Sequence, residues 1–269
     1  MKHIKTAIRI LLYLIIYYAF QILFFAIVGI NAIFKGFSSN NEMQEYVYKN
    51  TGYILIISMI LSLIIYFFML RKKQKNIFQM CNFRNIGVKN VLFILVICVS
   101  FSALLSGVVE YVIKFFPSYN ETSKIINMSM TSILGILAVL IFAPIFEEIL
   151  FRGMILSEIR NNINIIAAVI IQGILFGLYH MDKFQSIYTA ILGILLGLLC
   201  VKTKSVVGSI IAHITFNICG TLLFPYLVGV SGKFAFLYII AGAIIFVISI
   251  FSFIRFNKRS SLKESTFIR

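Results

Sequence analysis

Two adjacent carboxylates and an arginine, Glu147, Glu148 and Arg152, stand in a stretch from Ser132 to Leu156 that is otherwise dominated by apolar side chains. An intramembrane charge costs roughly 2.5–3.5 kcal/mol by insertion scales, so three together demand a reason. On a helix, positions four apart share a face. Glu148 and Arg152 can therefore pair and neutralise each other. Glu147 is rotated about 100° from Glu148 and turns to another side of the helix. A carboxylate in such a low-dielectric setting suits a general base or acid near neutral pH. The alternative is that both glutamates serve only to hold helices together through Arg152 and other polar groups. Pro144, three residues before Glu147, either kinks the helix and frees a carbonyl beside the acids or simply shapes packing.

Two histidines sit in other apolar stretches. His180 closes Phe176-Gly177-Leu178-Tyr179-His180, and its spacing from Phe176 puts ring and imidazole on one helical face. His213 opens His213-Ile214-Thr215-Phe216-Asn217, where the same spacing aligns an imidazole with an amide. Such groups in a span either join helices by hydrogen bonds or form a shared functional site. His3, near the first residue, is assigned nothing.

The elements that must position these residues follow from composition. Of 269 residues, 61% are hydrophobic and only 12% charged, with a mean hydropathy of +1.00. Soluble domains lie near 45–50% apolar and about 25% charged. We expect an all-α polytopic membrane protein with about eight transmembrane helices, organised as a single membrane domain over 1–269. The apolar segments run over about Ala7–Ile30, Thr51–Leu70, Val91–Phe116, Ser132–Leu156, Ile165–Tyr179, Ser186–Val201, Ser205–Leu223 and Phe234–Ile254. No small-residue cleavage site follows the first, so it reads as a retained span. The fifth and sixth are short for a ~30 Å hydrocarbon core. They either thin the bilayer or extend through polar residues, His180 among them. Gly173 with Gly177, and Gly193 with Gly197, would let these two helices approach their neighbours closely.

The net charge of +15 does not indicate nucleic acid. Basic residues concentrate at 1–9, 71–89, 152–160, 202–204 and 255–269, whereas the stretches 31–50, 117–127, 181–185 and 224–233 are weakly charged. The alternation suits eight crossings. It places both termini in the cytoplasm of a multi-pass cell-membrane protein. The four cysteines show no metal-type spacing and read as small core residues.

The ordered set Glu147-Glu148 with Arg152, Phe176 with His180, and His213 with Asn217, each in its own apolar segment, resembles the CPBP family of intramembrane proteases. That family is also called the CAAX-protease and bacteriocin-processing family, or Abi. The resemblance covers about 130–220, the expected protease core. It implies an eight-helix membrane endopeptidase with a cavity open to the cytoplasmic side. It further implies that Glu147, helped by His180, activates water. His213 and Asn217 would then stabilise the tetrahedral oxyanion. Amide hydrolysis needs such a base and such donors. No metal is the favoured expectation. The alternative is Zn2+ held by Glu147, His180 and His213 with an open water position. Glu148 with Arg152 is the expected structural ion pair, and Phe176 a support.

A shared site carries a condition. These segments put Glu147 in the cytoplasmic half of the fourth and His180 at the outer end of the fifth. Either the fourth runs on past Arg152, or the fifth is tilted or longer. The expected partners are membrane lipids and a peptide or protein substrate in the membrane, with roles in peptide processing or bacteriocin immunity as in bacterial relatives. Two other readings compete: a non-catalytic scaffold or regulator of the same fold, and a proton-coupled transporter, for which the internal repeat symmetry common in carriers is missing.

Overall fold

The computed structural model describes residues 2–72 and 76–266. Met1, the Lys73–Lys75 part of the basic loop and the 267–269 end of the basic tail lie outside the described residues. Helices α1 (Lys2–Phe34), α2 (Asn40–Lys49), α3 (Thr51–Lys72), α4 (Ile77–Cys81), α5 (Val88–Phe115) and α6 (Tyr119–Ser129) come first. They are followed by α7 (Ile133–Arg160), α8 (Ile165–Tyr179), α9 (Lys183–Thr203), α10 (Val206–Ser231) and α11 (Phe236–Thr266). No strand occurs among the described residues. This is the expected all-α polytopic membrane protein. Lipid offers the backbone no hydrogen-bond partner, so long apolar segments must satisfy their own amides as helices.

Among the described residues, seven helices are long and apolar enough to cross a membrane. The remaining apolar segment is α8, at 15 residues. The sixth expected segment proves longer than read: α9 has 21 residues, because Asp182 caps it by accepting from the Gln185 amide at 2.9 Å. α8 does not extend through His180; it stops at Tyr179. The fourth segment does run on past Arg152, to Arg160, which puts Glu147 near its middle. Glu158, beyond the Leu156 end of the expected fourth segment, is buried at 2% exposure within α7. The weakly charged stretches 31–50 and 117–127 contain α2 and most of α6. In α2, Ser39 and Glu42 form a capping box.

The chain divides into two compact units: 1–81 with 118–172, and 82–117 with 173–269. In the first, α1 packs on α3, and α3 packs on α7. A close approach joins α3 to α7, where a Cβ on Gly52 would stand 2.6 Å from Gly135 Cα and one on Gly135 would run into the Ser129 carbonyl. Near its start, α1 clasps the end of α7. Lys2 Nζ donates to the Asn161 carbonyl at 2.8 Å, Asn162 Nδ2 donates to Thr6 Oγ1 at 2.9 Å, and Arg9 lies 3.4 Å from Glu158. α4 packs on α7 beside Gly153, against Cys81.

In the second unit, α5 packs on α10 and α11, and α9 packs on α10. The latter part of α8 meets α9 through the expected glycines: a Cβ on Gly193 would stand 2.9 Å from Gly173 Cα, and one on Gly173 2.5 Å from Ile194 Cγ1. Small residues permit this backbone approach. All four cysteines are buried, as small core residues.

The packing makes two stability predictions, both read as melting of the full-length protein in detergent. Gly135→Ala should cost about 1–3 kcal/mol by overpacking. Gly29→Ala, where an added Cβ meets nothing within 4 Å, should be neutral. Arg9→Ala should cost about 2 kcal/mol, below the range for fully buried pairs because Arg9 stays partly exposed. Adding Glu158→Gln should restore part of that loss.

Candidate active site

Glu147, Glu148 and Arg152 all lie on α7 in the first unit, within an irregular part of the helix. α-Helical turns over Ala143–Glu148 are bracketed by wider π-helical turns at Ala138–Phe142 and Ile149–Ile155. Pro144, which cannot donate an amide hydrogen bond, lies two residues after the first of these. π-Turns inside α-helices occur frequently at functional sites. The expected ion pair is formed: Arg152 Nη1 donates to Glu148 Oε1 at 2.7 Å, and neither side chain has any exposure. Glu147 is 9% exposed.

The rotation of this segment is set by the residue before it. Phe146 packs on Tyr17 of α1, with ring centroids 4.6 Å apart, and lies 6.5 Å from Tyr66 of α3. Tyr66 donates to the Tyr13 carbonyl at 2.6 Å. These four rings are each at most 2% exposed. They hold α7 by its aromatic side chain, leaving the adjoining carboxylates a defined direction.

Phe176, His180, His213 and Asn217 lie in the second unit. Here the structure brings together more than the sequence spacing suggested. The buried Phe176 ring makes edge contacts with His180 at 5.0 Å and with His213 at 5.6 Å between centroids. The support expected for one histidine serves both. His180 lies just past α8, in the turn to α9. Its Nδ1 is 2.8 Å from the Phe176 carbonyl. A carbonyl only accepts, so Nδ1 carries the proton; in the neutral ring Nε2 is then the acceptor. Backbone bonds from His180 N to Gly177 O, at 3.1 Å, and from Asp182 N to His180 O, at 2.8 Å, pin the turn. Met181 completes it at φ +59. His213 is 3% exposed, whereas Asn217 is half-buried one turn further along α10. Another π-helical stretch, Cys219–Leu223, follows them.

Sequence reading missed Glu158 as a buried group, the aromatic cluster around Phe146, and the π-turns. Glu158 lies six residues after Arg152, a spacing that carries no pairing signal. The cluster depends on which helices meet, and an i+5 turn has no residue signature beyond Pro144.

Among the described residues, no three His, Cys, Asp or Glu side chains gather so as to hold a metal ion. The donors present, a carboxylate, two imidazoles and an amide, suit proton transfer and hydrogen bonding without one.

Comparison with known proteins follows the same segment. Residues 129–219 match the family model described as "Type II CAAX prenyl endopeptidase Rce1-like", a span that contains every residue of the expected site. The chain is also 28% identical over 198 residues to a Bacillus subtilis (strain 168) protein named "Putative membrane peptidase YdiL", covering 72% of this chain and 81% of that one. No solved structure matches the chain. The ordered motifs thus lie inside the segment of this all-α membrane protein that is similar to the type II CAAX prenyl endopeptidases.

Proposed function

We propose that this protein is an intramembrane endopeptidase that hydrolyses a peptide bond in a membrane-associated protein or peptide, without a metal. The observation that carries the proposal is the anchoring of both histidines on Phe176, with the Nδ1 proton of His180 committed to a carbonyl. Fixing Nδ1 leaves the neutral ring with Nε2 as its acceptor, which is the form needed to help deprotonate water.

In the proposed reaction Glu147 takes a proton from water, assisted by His180, and the oxygen bonds to the carbonyl carbon of the scissile peptide. The carbonyl electron pair moves onto oxygen. The Asn217 amide and an N–H of His213 donate to that oxyanion. As the intermediate collapses, the C–N bond breaks and Glu147 returns its proton to the leaving amine. Glu148 takes no part, because its charge is balanced by Arg152. The protein would act in the cell membrane on the basic, cytoplasmic side, with both termini there and residues 130–220 as its protease core. Lipids surround it, and nucleic acid has no role.

The test needs no known substrate. Full-length protein is reconstituted with a host membrane-protein fraction, and newly created peptide termini are read by mass spectrometry. New termini should appear with the natural protein, unaffected by a chelator. Glu147→Gln, His180→Ala and His213→Ala should each reduce their rate by at least about 100-fold, in line with loss of general acid–base catalysis. Asn217→Ala should reduce it by about 100–1,000-fold, as for an oxyanion donor. Termini that persist in all four variants would rule the assignment out, as would chelator sensitivity for the metal-free route.

Orientation has its own test. A green fluorescent protein fused to either terminus should fluoresce, and alkaline phosphatase at either should be inactive. Opposite behaviour at the two ends would mean that α8, about 22 Å long at 1.5 Å per residue, does not cross.

A further inference from the structure

The second unit has a feature that the proposed hydrolysis does not use. α5 and α11 lie against each other, but unevenly along their length. At one end their backbones touch: a Cβ on Gly242 would stand 2.6 Å from Leu104 N, and one on Gly107 2.7 Å from Ile239 Cγ1. Toward the other end larger residues replace the glycines. There the helices leave an open groove with a volume of about 530 Å³, within the ~300–1,000 Å³ of small-molecule sites. Leu92, Phe93 and Val96 form one wall, and Ile245, Ile248 and Phe256 the other.

The groove ends in polar groups. Lys89 lines it, with Nζ 6.0 Å from the centroid of the Phe256 ring. At the same level Asn257 Nδ2 donates to Asn90 Oδ1 and to the Phe253 carbonyl, each at 3.1 Å, tying α11 to α5. Phe93 lies 5.6 Å from Phe256 and 6.2 Å from Phe253, which stiffens the wall below. Exposed Arg255 and Lys258 stand on either side of Phe256 and Asn257 on α11. No acidic side chain is among the residues lining the groove.

Length and charge select the occupant. Ile245 to Phe256 spans about 16 Å along a helix at 1.5 Å per residue. That is the depth of one leaflet, half of a ~30 Å hydrocarbon core. A partner helix crossing the membrane would need the whole depth. A zwitterionic headgroup would set its own cation near Lys89, whereas an anionic one would not. We propose that this groove is a binding site for an anionic phospholipid, with an acyl chain between α5 and α11 and its phosphate at Lys89.

The chain contains no tryptophan, so one introduced indole reports on one place. Full-length Leu92→Trp protein is reconstituted in liposomes containing brominated phosphatidylglycerol or brominated phosphatidylcholine, whose bromines quench the indole. Half-quenching should need about fivefold less of the anionic lipid, the factor that one basic side chain supplies near a charged surface. The preference should disappear with added Lys89→Gln and survive with Lys89→Arg. Ile22→Trp on α1, at 69% exposure, should show none. Equal quenching of the Leu92→Trp protein by both lipids overturns the proposal, as does a preference that survives Lys89→Gln or recurs at Ile22→Trp. Native mass spectrometry of otherwise natural protein supplies a second readout. Retained phosphatidylglycerol should be lost in Val96→Phe, which fills the groove; its undiminished retention there would mean the lipid lies outside.

Discussion

A carboxylate and a guanidinium 2.7 Å apart, both removed from solvent, set the terms for the first unit. Alone in a span, either charge would be costly. Together they leave Glu147 as the third ionisable group of the Glu147, Glu148 and Arg152 cluster on α7. Replacing a buried ion pair with apolar residues of similar volume often costs no stability. The consequence of this pair is therefore better sought in direction than in energy. Glu148 is committed to Arg152, and Phe146 is held by Tyr17 and Tyr66, so the residues on either side of Glu147 are both fixed. The π-helical turns on either side fit the same picture. They admit an extra residue per turn where a uniform α-helix would have to satisfy proline, aromatic anchor and ion pair at once.

The second unit solves the equivalent problem by similar means. A buried phenylalanine is again the fixed part, and polar groups are placed against it. Phe176 contacts both imidazoles, while its own carbonyl takes the Nδ1 proton of His180. The chain reverses direction within three residues of that histidine, through Met181 at positive φ and into the Asp182 cap. His180 is thus held by backbone, ring and turn together. A histidine in the middle of a longer helix, which was one expectation, would have its own carbonyl-bonding pattern and no such turn.

The clasp between α1 and α7 shows how charge in the basic end regions can be structural. Lys2, Thr6 and Arg9 each reach the last turn of α7 or the turn beyond it. A cation near a helix C-terminus complements the exposed carbonyls and the macrodipole. The basic residues at the start of α1 therefore take part in packing.

Much was decided by sequence alone. Hydropathy determines that the chain is helical and membrane-borne, because lipid leaves no other way to satisfy a backbone. Spacing determines that Glu148 meets Arg152 and that Phe176 supports His180, since residues four apart on a helix are neighbours. The order of motifs points to the same segment, 129–219, that is similar to the CAAX prenyl endopeptidases. Tertiary structure decided the rest. It extended α7 to Arg160, buried Glu158 against Arg9, placed His213 on the ring that already held His180, and stopped α8 at Tyr179. Each of these depends on groups far apart in the chain or on a turn between helices. Helical periodicity relates a residue only to its neighbours along one helix, whereas contacts between helices depend on how whole side-chain surfaces fit.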